Sequence, residues 1–163
     1  MLIVTARRIA AAAALVVVTA SLAQAQSGSQ TVTYAVNAIN QIAFTGAPSL
    51  TITTATAGSA PTSVTDASAT WAVTTNQSGA KITASIATAM PSGLTLSASL
   101  AAPAGASSAS YLSLSTTAVD LVTGITKLAQ SALGVSYQLD ATPAAGVVTS
   151  ATRVVTYTIT GGV

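Results

Sequence analysis

Chemistry in this chain has few side chains to draw on. The acidic residues are three, Asp66, Asp120 and Asp140, and there is no glutamate, histidine or cysteine. General acid–base catalysis needs a group that titrates near working pH, most often histidine or a tuned carboxylate. Asp66 falls in a loop, Asp120 near a strand start and Asp140 at a strand end, positions where aspartate ordinarily serves turns and strand ends. A carboxylate pair for glycoside hydrolysis would need two of them to meet, and their wide spacing in sequence argues against it. Zinc is bound chiefly through cysteine and histidine, so a zinc site is excluded. Calcium takes carboxylates and loop carbonyls, but the sequence holds no Asp-rich loop.

Two short motifs invite a functional reading. Ser78-Gly-Ala-Lys81 has the serine–lysine spacing of penicillin-recognising enzymes. There the pair opens a helix, so that one turn brings lysine to serine, and Ser-Asp-Asn and Lys-Thr-Gly follow. Here it falls in a turn, neither companion motif is present, and the match is one that a serine-rich chain produces by chance. Asn76-Gln-Ser78 is a formal glycosylation sequon and equally a turn. No Gly-x-Ser-x-Gly elbow, phosphate loop or dinucleotide fingerprint occurs. The sequence therefore assigns no catalytic, cofactor-binding or metal-binding residue, and the expectation is a non-enzyme without cofactors.

The N-terminus reads as an address. Arg7 and Arg8 precede an apolar run from Ile9 to Leu22, and Ala23-Gln24-Ala25 is a small-x-small cleavage site. That is the layout of a secretory signal peptide over residues 1–25, leaving residues 26–163 as a single domain. The apolar run is shorter than the roughly 20 residues of a spanning helix, so no membrane span is expected after cleavage. Beyond the signal, Lys81, Lys127 and Arg153 balance the three aspartates, and formal charge is zero. No basic patch offers itself to nucleic acid or to anionic lipid. A neutral, threonine-rich exterior does little to repel a neighbouring copy.

The elements that would carry these residues are strands. Side chains of a strand alternate between faces, so apolar residues at every second position mark a half-buried strand. Leu133, Val135, Tyr137 and Leu139 share one face in Leu133–Asp140, and Val155, Tyr157 and Ile159 share another in the closing strand, with Pro143 and Gly146 between. The same period predicts strands over Thr31–Ala38 (Val32, Tyr34, Val36 inward), Ser49–Thr54 (Leu50, Ile52) and Leu94–Leu100, with a short one over Tyr111–Ser115. Asn37–Phe44 is ambiguous, with Ile39, Ile42 and Phe44 continuing into the core. Residues 55–68 read as a long loop. Ala69–Thr75 and Lys81–Ala87, joined by Asn76-Gln-Ser-Gly79, read as a hairpin with Trp71 and Val73 beside Ile82 and Ile86. Residues 117–132 admit a short helix, but β-branched Val119, Val122, Thr123, Ile125 and Thr126 favour a strand over Val119–Ile125, followed by a loop or single turn. Trp71 reads as a core anchor, and Tyr34, Tyr111, Tyr137 and Tyr157 as core-edge residues whose hydroxyls reach partners. Seven to nine short strands with frequent turn signals predict an all-β, antiparallel, immunoglobulin-like sandwich.

This pattern resembles exported bacterial surface proteins with immunoglobulin-like sandwiches, the spore coat protein U and fimbrial-subunit group. The resemblance is carried by the signal peptide, the short threonine-rich strands and the closing Val154-Val-Thr-Tyr-Thr-Ile-Thr160. The chain departs from the group in lacking cysteine and in ending Gly161-Gly-Val163 after Tyr157, and no site residue is carried over. The resemblance implies a non-catalytic, secreted, periplasmic or cell-surface structural protein. Its expected partners are itself, through edge strands at Thr31–Ala38 and Arg153–Thr160, or other envelope proteins. The alternative is a binding module for an envelope component or polysaccharide, which calls for an exposed aromatic cluster.

Overall fold

The computed structural model describes residues 25–162. All but the last residue of the expected signal peptide lie outside that range. The chain divides into a first unit that ends at Ala35 and a second that runs from Val36. In the first unit, residues 25–35 form no strand, and Val32 and Tyr34 are 71% and 90% exposed. The expected strand over Thr31–Ala38 is therefore corrected to irregular chain outside any ladder. Its alternation is intact, but a strand needs a neighbour to satisfy its backbone groups.

The second unit is an antiparallel β-sandwich of nine strands among the described residues. A five-stranded sheet contains β1 (Asn40–Thr45), β2 (Val64–Thr75), β8 (Leu128–Ala141), β4 (Leu94–Leu100) and β6 (Leu112–Ser113), in that order. A four-stranded sheet contains β5 (Ser107–Ser108), β7 (Val119–Ile125), β3 (Ala80–Ile86) and β9 (Val155–Thr160). The inward faces carry the apolar halves of the alternating patterns. Trp71, Val73, Leu100 and Val135 of the first sheet meet Ile82, Ile86, Leu121, Val122 and Ile125 of the second, all nearly or fully excluded from water. Burying that surface is the main force holding a chain that has no cysteine with which to form disulfides.

The connectivity corrects the hairpin reading. β2 pairs with β1 and β8, and β3 pairs with β7 and β9, so the turn after Thr75 carries the chain from one sheet to the other. Trp71 and Ile82 enter the core from opposite sheets instead of lying side by side in one. β7 and β8 make the same crossing through Thr126 and Lys127. The two corners are bonded together: the Lys127 amide donates to the Gln77 carbonyl at 2.9 Å, and the Gly79 amide to Thr126 Oγ1 at 3.2 Å. Alternation alone cannot separate a hairpin from such an arch, because both bury the same residues. Here the polar groups of the turn bond to neighbouring segments, which leaves the arch as the stable form. Lys127 takes a left-handed φ of 41° to make the bend.

Other expectations fare variously. The strand over Val119–Ile125 is present as expected, and of the loop or single turn expected after it only the Thr126–Lys127 bend is found: β8 begins at Leu128 and runs 14 residues. Ser49–Thr54 is not a strand, although Leu50 still packs on the core. Part of the expected loop over residues 55–68 belongs to β2, which starts at Val64. Register shifts on β2 between Asp66 and Ala69, and again between Trp71 and Val73, are bulges that add local bend and twist to this long strand.

Candidate interaction edge

The three aspartates are spread over the two sheets and bound to different partners. Asp66, near the start of β2, accepts from Ser68 Oγ at 2.6 Å, from the Ser68 amide at 2.8 Å and from the Ser49 amide at 2.8 Å. The Ser68 hydroxyl first, then the two amides, hold its carboxyl below the usual range, since they stabilise the charged form. Asp120 on β7 pairs across the ladder with Lys81 on β3 at 3.0 Å. Asp140 on β8 accepts from Ser63 Oγ and from Gln138 Nε2. Asp120 thus lies in a different sheet from Asp66 and Asp140. Asp66 stands opposite Tyr137 on β8, three residues from Asp140 along the strand, or roughly 10 Å at the rise of an extended chain.

Ser78 and Lys81 are not brought together in the way that serine–lysine catalysis requires. The pair spans the β2–β3 corner and the start of β3, and the lysine ammonium is committed to Asp120. The Asn76 carboxamide is likewise occupied: it accepts from the Ile39 amide and donates to the Asn37 carbonyl, both at 2.8 Å. Asn76 thereby ties the entry to β1 onto the corner. A cavity of about 380 Å³ beside this corner is lined by Ile39, Thr75, Asn76, Lys127 and Leu128, among others, and holds no carboxylate. Among the described residues there is no group of three metal-ligating side chains.

The aromatic residues gather at one side of the sandwich. Phe44 of β1 stacks on Tyr157 of β9 with ring centroids 4.0 Å apart and on Trp71 of β2 at 6.1 Å. The hydroxyls of Tyr137 and Tyr157 are 2.7 Å apart, a bond that links the two sheets. Burial pushes the Tyr137 hydroxyl's pKa up against its bond to Tyr157. Burial, the bond to Tyr137 and that residue's charge all raise Tyr157. Trp71 is the core anchor that its sequence position suggests, at 1% exposure, although its Nε1 meets no acceptor. The tyrosines divide. Tyr137 and Tyr157 find partners as expected, whereas Tyr34 is 90% exposed and Tyr111 39%.

The feature that stands apart is the edge beside this aromatic column. β9 pairs with β3 in the register Ile82–Ile159, Ala84–Tyr157 and Ile86–Val155, and it ends its sheet. The β3 members of those pairs are at most 1% exposed, yet Val155, Tyr157 and Ile159 are only half-buried. The core is thus closed along β3 and open along β9. Burial falls away within a single strand spacing because β9 has a neighbour on one side only. Its sequence, Val-Thr-Tyr-Thr-Ile-Thr, has no charge and no proline, and its ladder with β3 carries no bulge. Those are the usual means of blunting an edge. The sequence signal for this was the closing alternation itself; the signal it lacked was which strands would be left without a neighbour.

Comparison with protein-family models, with curated proteins and with solved structures returns no match.

Proposed function

We propose that this chain is a non-catalytic, exported structural or cell-surface protein whose copies associate through edge strands. The observation that carries the reading is β9: an uncharged strand at the end of its sheet with its inward side chains half-buried. Unpaired N–H and C=O groups along such an edge are a template for pairing with another chain, and burial of the open side chains adds to the gain. Zero formal charge beyond residue 25 supports the reading, because two copies meet without electrostatic repulsion. The engagement of each aspartate with nearby serine, lysine or glutamine partners supports a structural role for the carboxylates. Export rests on the tripartite N-terminal sequence.

Size-exclusion chromatography with light scattering, and negative-stain microscopy of the same sample, tests self-association. Ordered polymers or a defined oligomer are expected, and a monomer at every concentration contradicts the proposal. Cell fractionation with N-terminal sequencing tests export. A chain beginning at Gln26 outside the cytoplasm is expected, and cytoplasmic protein beginning at Met1 contradicts it.

A further inference from the structure

We propose that the exposed segment of residues 51–62 is a site of O-linked glycosylation, its hydroxyls taking sugars from an activated glycosyl donor. The inference goes beyond self-association and draws only on the export reading. The segment reads Thr-Ile-Thr-Thr-Ala-Thr-Ala-Gly-Ser-Ala-Pro-Thr, so six of its twelve residues carry a hydroxyl and none is charged. Serine and threonine set among small residues and proline is the composition of glycan-bearing stalks. In so threonine-rich a chain, composition alone would not single the segment out; its structure does.

Thr51, Thr53, Thr54, Thr56, Ser59 and Thr62 are all exposed. The segment lies between β1 and β2 and contains no strand, only an isolated bridge between Ala55 and Pro61. Both of its ends are anchored. Before it, Leu50 packs on the core and the Ser49 amide donates to Asp66. After it, the Ser63 hydroxyl donates to Asp140. Inside it, the Thr62 amide donates to the Thr54 carbonyl and the Ser59 amide to the Thr56 carbonyl, both at 2.9 Å. Gly58 turns the tip at a φ of 84°, with open space around it. Main-chain bonds and end anchors thus set the shape of the loop without its hydroxyls.

Elsewhere hydroxyls serve the fold: Thr45 and Thr70 are bonded at 2.8 Å, Thr75 donates to Asn40 at 2.7 Å, and Ser108 donates to the Leu100 carbonyl. The six loop hydroxyls make no such bond among the described residues, so a sugar placed on them displaces no contact. The formal N-linked sequon is the opposite case. The Asn76 carboxamide is committed to the Ile39 amide and the Asn37 carbonyl, and a glycan there would break the tie at the entry to β1.

In the transfer, a threonine Oγ1 or the serine Oγ attacks the anomeric carbon of a glycosyl phosphate ester held by a glycosyltransferase. The new oxygen–carbon bond forms as the bond from that carbon to the phosphate oxygen breaks. The phosphate leaves with the bonding pair, the hydroxyl proton passes to solvent through a base of the transferase, and nothing is oxidised or reduced. The bulky polar product solvates an exterior that carries little charge of its own.

Mass spectrometry of the intact protein and of its peptides, on material purified from the cells that make it, tests the proposal. A chain beginning at Gln26 is expected, heavier than residues 26–163 by whole sugar residues that map to residues 51–62. Alkaline β-elimination, which releases sugars from serine and threonine but not from asparagine, should strip them. The joint variant Thr51→Ala, Thr53→Ala, Thr54→Ala, Thr56→Ala, Ser59→Ala and Thr62→Ala should lose all the added mass and keep its melting temperature. A wild-type chain beginning at Gln26 with no added mass overturns glycosylation and leaves export standing. Sugars confined to Asn76, or to the equally exposed Thr149, Ser150 and Thr152, overturn the assignment to this loop. A bare chain beginning at Met1 overturns both readings.

Discussion

Removing either hydroxyl of the Tyr137–Tyr157 pair should destabilise the fold, and removing both should cost less than the two losses added. The hydroxyls are 2.7 Å apart and join the two sheets beside the Phe44 ring. A neutral hydrogen bond contributes about 0.5–1.5 kcal/mol net, and a buried group deprived of its partner costs about 1–3 kcal/mol. Tyr137 is 9% exposed and Tyr157 half-buried, so water relieves part of the loss. Tyr157→Phe and Tyr137→Phe should each cost about 1–2 kcal/mol, in the lower half of that range. The double variant leaves no orphaned hydroxyl and should cost about 1 kcal/mol or less. Urea unfolding of the four proteins in the cycle measures this, and melting temperatures should follow at about 4 °C per kcal/mol for a domain of this size.

The pair also sets an alkaline limit. Both hydroxyls titrate above their ordinary value in the folded protein, whereas an unfolded tyrosine gives up its proton near pH 10. Above that pH the unfolded chain binds fewer protons, so the contribution is complete below about pH 10 and is lost as pH rises further. The double phenylalanine variant should lose this alkaline sensitivity. Additive single losses, or an alkaline profile that the double variant leaves unchanged, would refute the reasoning.

Further outcomes can be checked with the same unfolding assays. A Cβ at Gly46, where φ is 108°, would lie 2.7 Å from the Ala69 backbone, so Gly46→Ala should cost about 2–3 kcal/mol. Gly58→Ala, also at positive φ but in open space, should cost only about 1 kcal/mol. The Lys81–Asp120 pair is exposed on both partners; Asp120→Asn should change stability by less than about 1 kcal/mol, and 1 M salt should remove even that difference.

Much of this fold was legible because its strands bury one face only. The alternation of Leu133, Val135 and Tyr137 placed β8, and the β-branched run of Val119–Ile125 outweighed a helical spacing that Leu121, Val122 and Ile125 also satisfy. Pairing was less legible. Trp71 and Ile82 are inward in a hairpin and in an arch alike. Strand pairing decides between them, with β2 and β3 in different sheets, and the Gln77–Lys127 and Gly79–Thr126 bonds, which join segments far apart in sequence, hold the arch. The Thr31–Ala38 segment shows the opposite limit: its pattern is as good as that of β9, but a pattern supplies no neighbour. At the candidate edge, Val155, Tyr157 and Ile159 were readable as an inward row, whereas their half-exposure comes from strand order, which composition does not encode. Among the aspartates, Asp120 near the start of β7 and Asp140 near the end of β8 lie where their sequence positions suggest, whereas Asp66, expected in a loop, lies within β2.

The central claim is that the open edge of β9 carries self-association. The most direct test is light scattering over a range of concentrations on wild-type protein beside Thr158→Lys, which places a charge on the exposed side of that strand. The account predicts that wild-type protein assembles and that Thr158→Lys stays monomeric with its melting temperature unchanged. Equal assembly by the two proteins, or monomers from both, would contradict it.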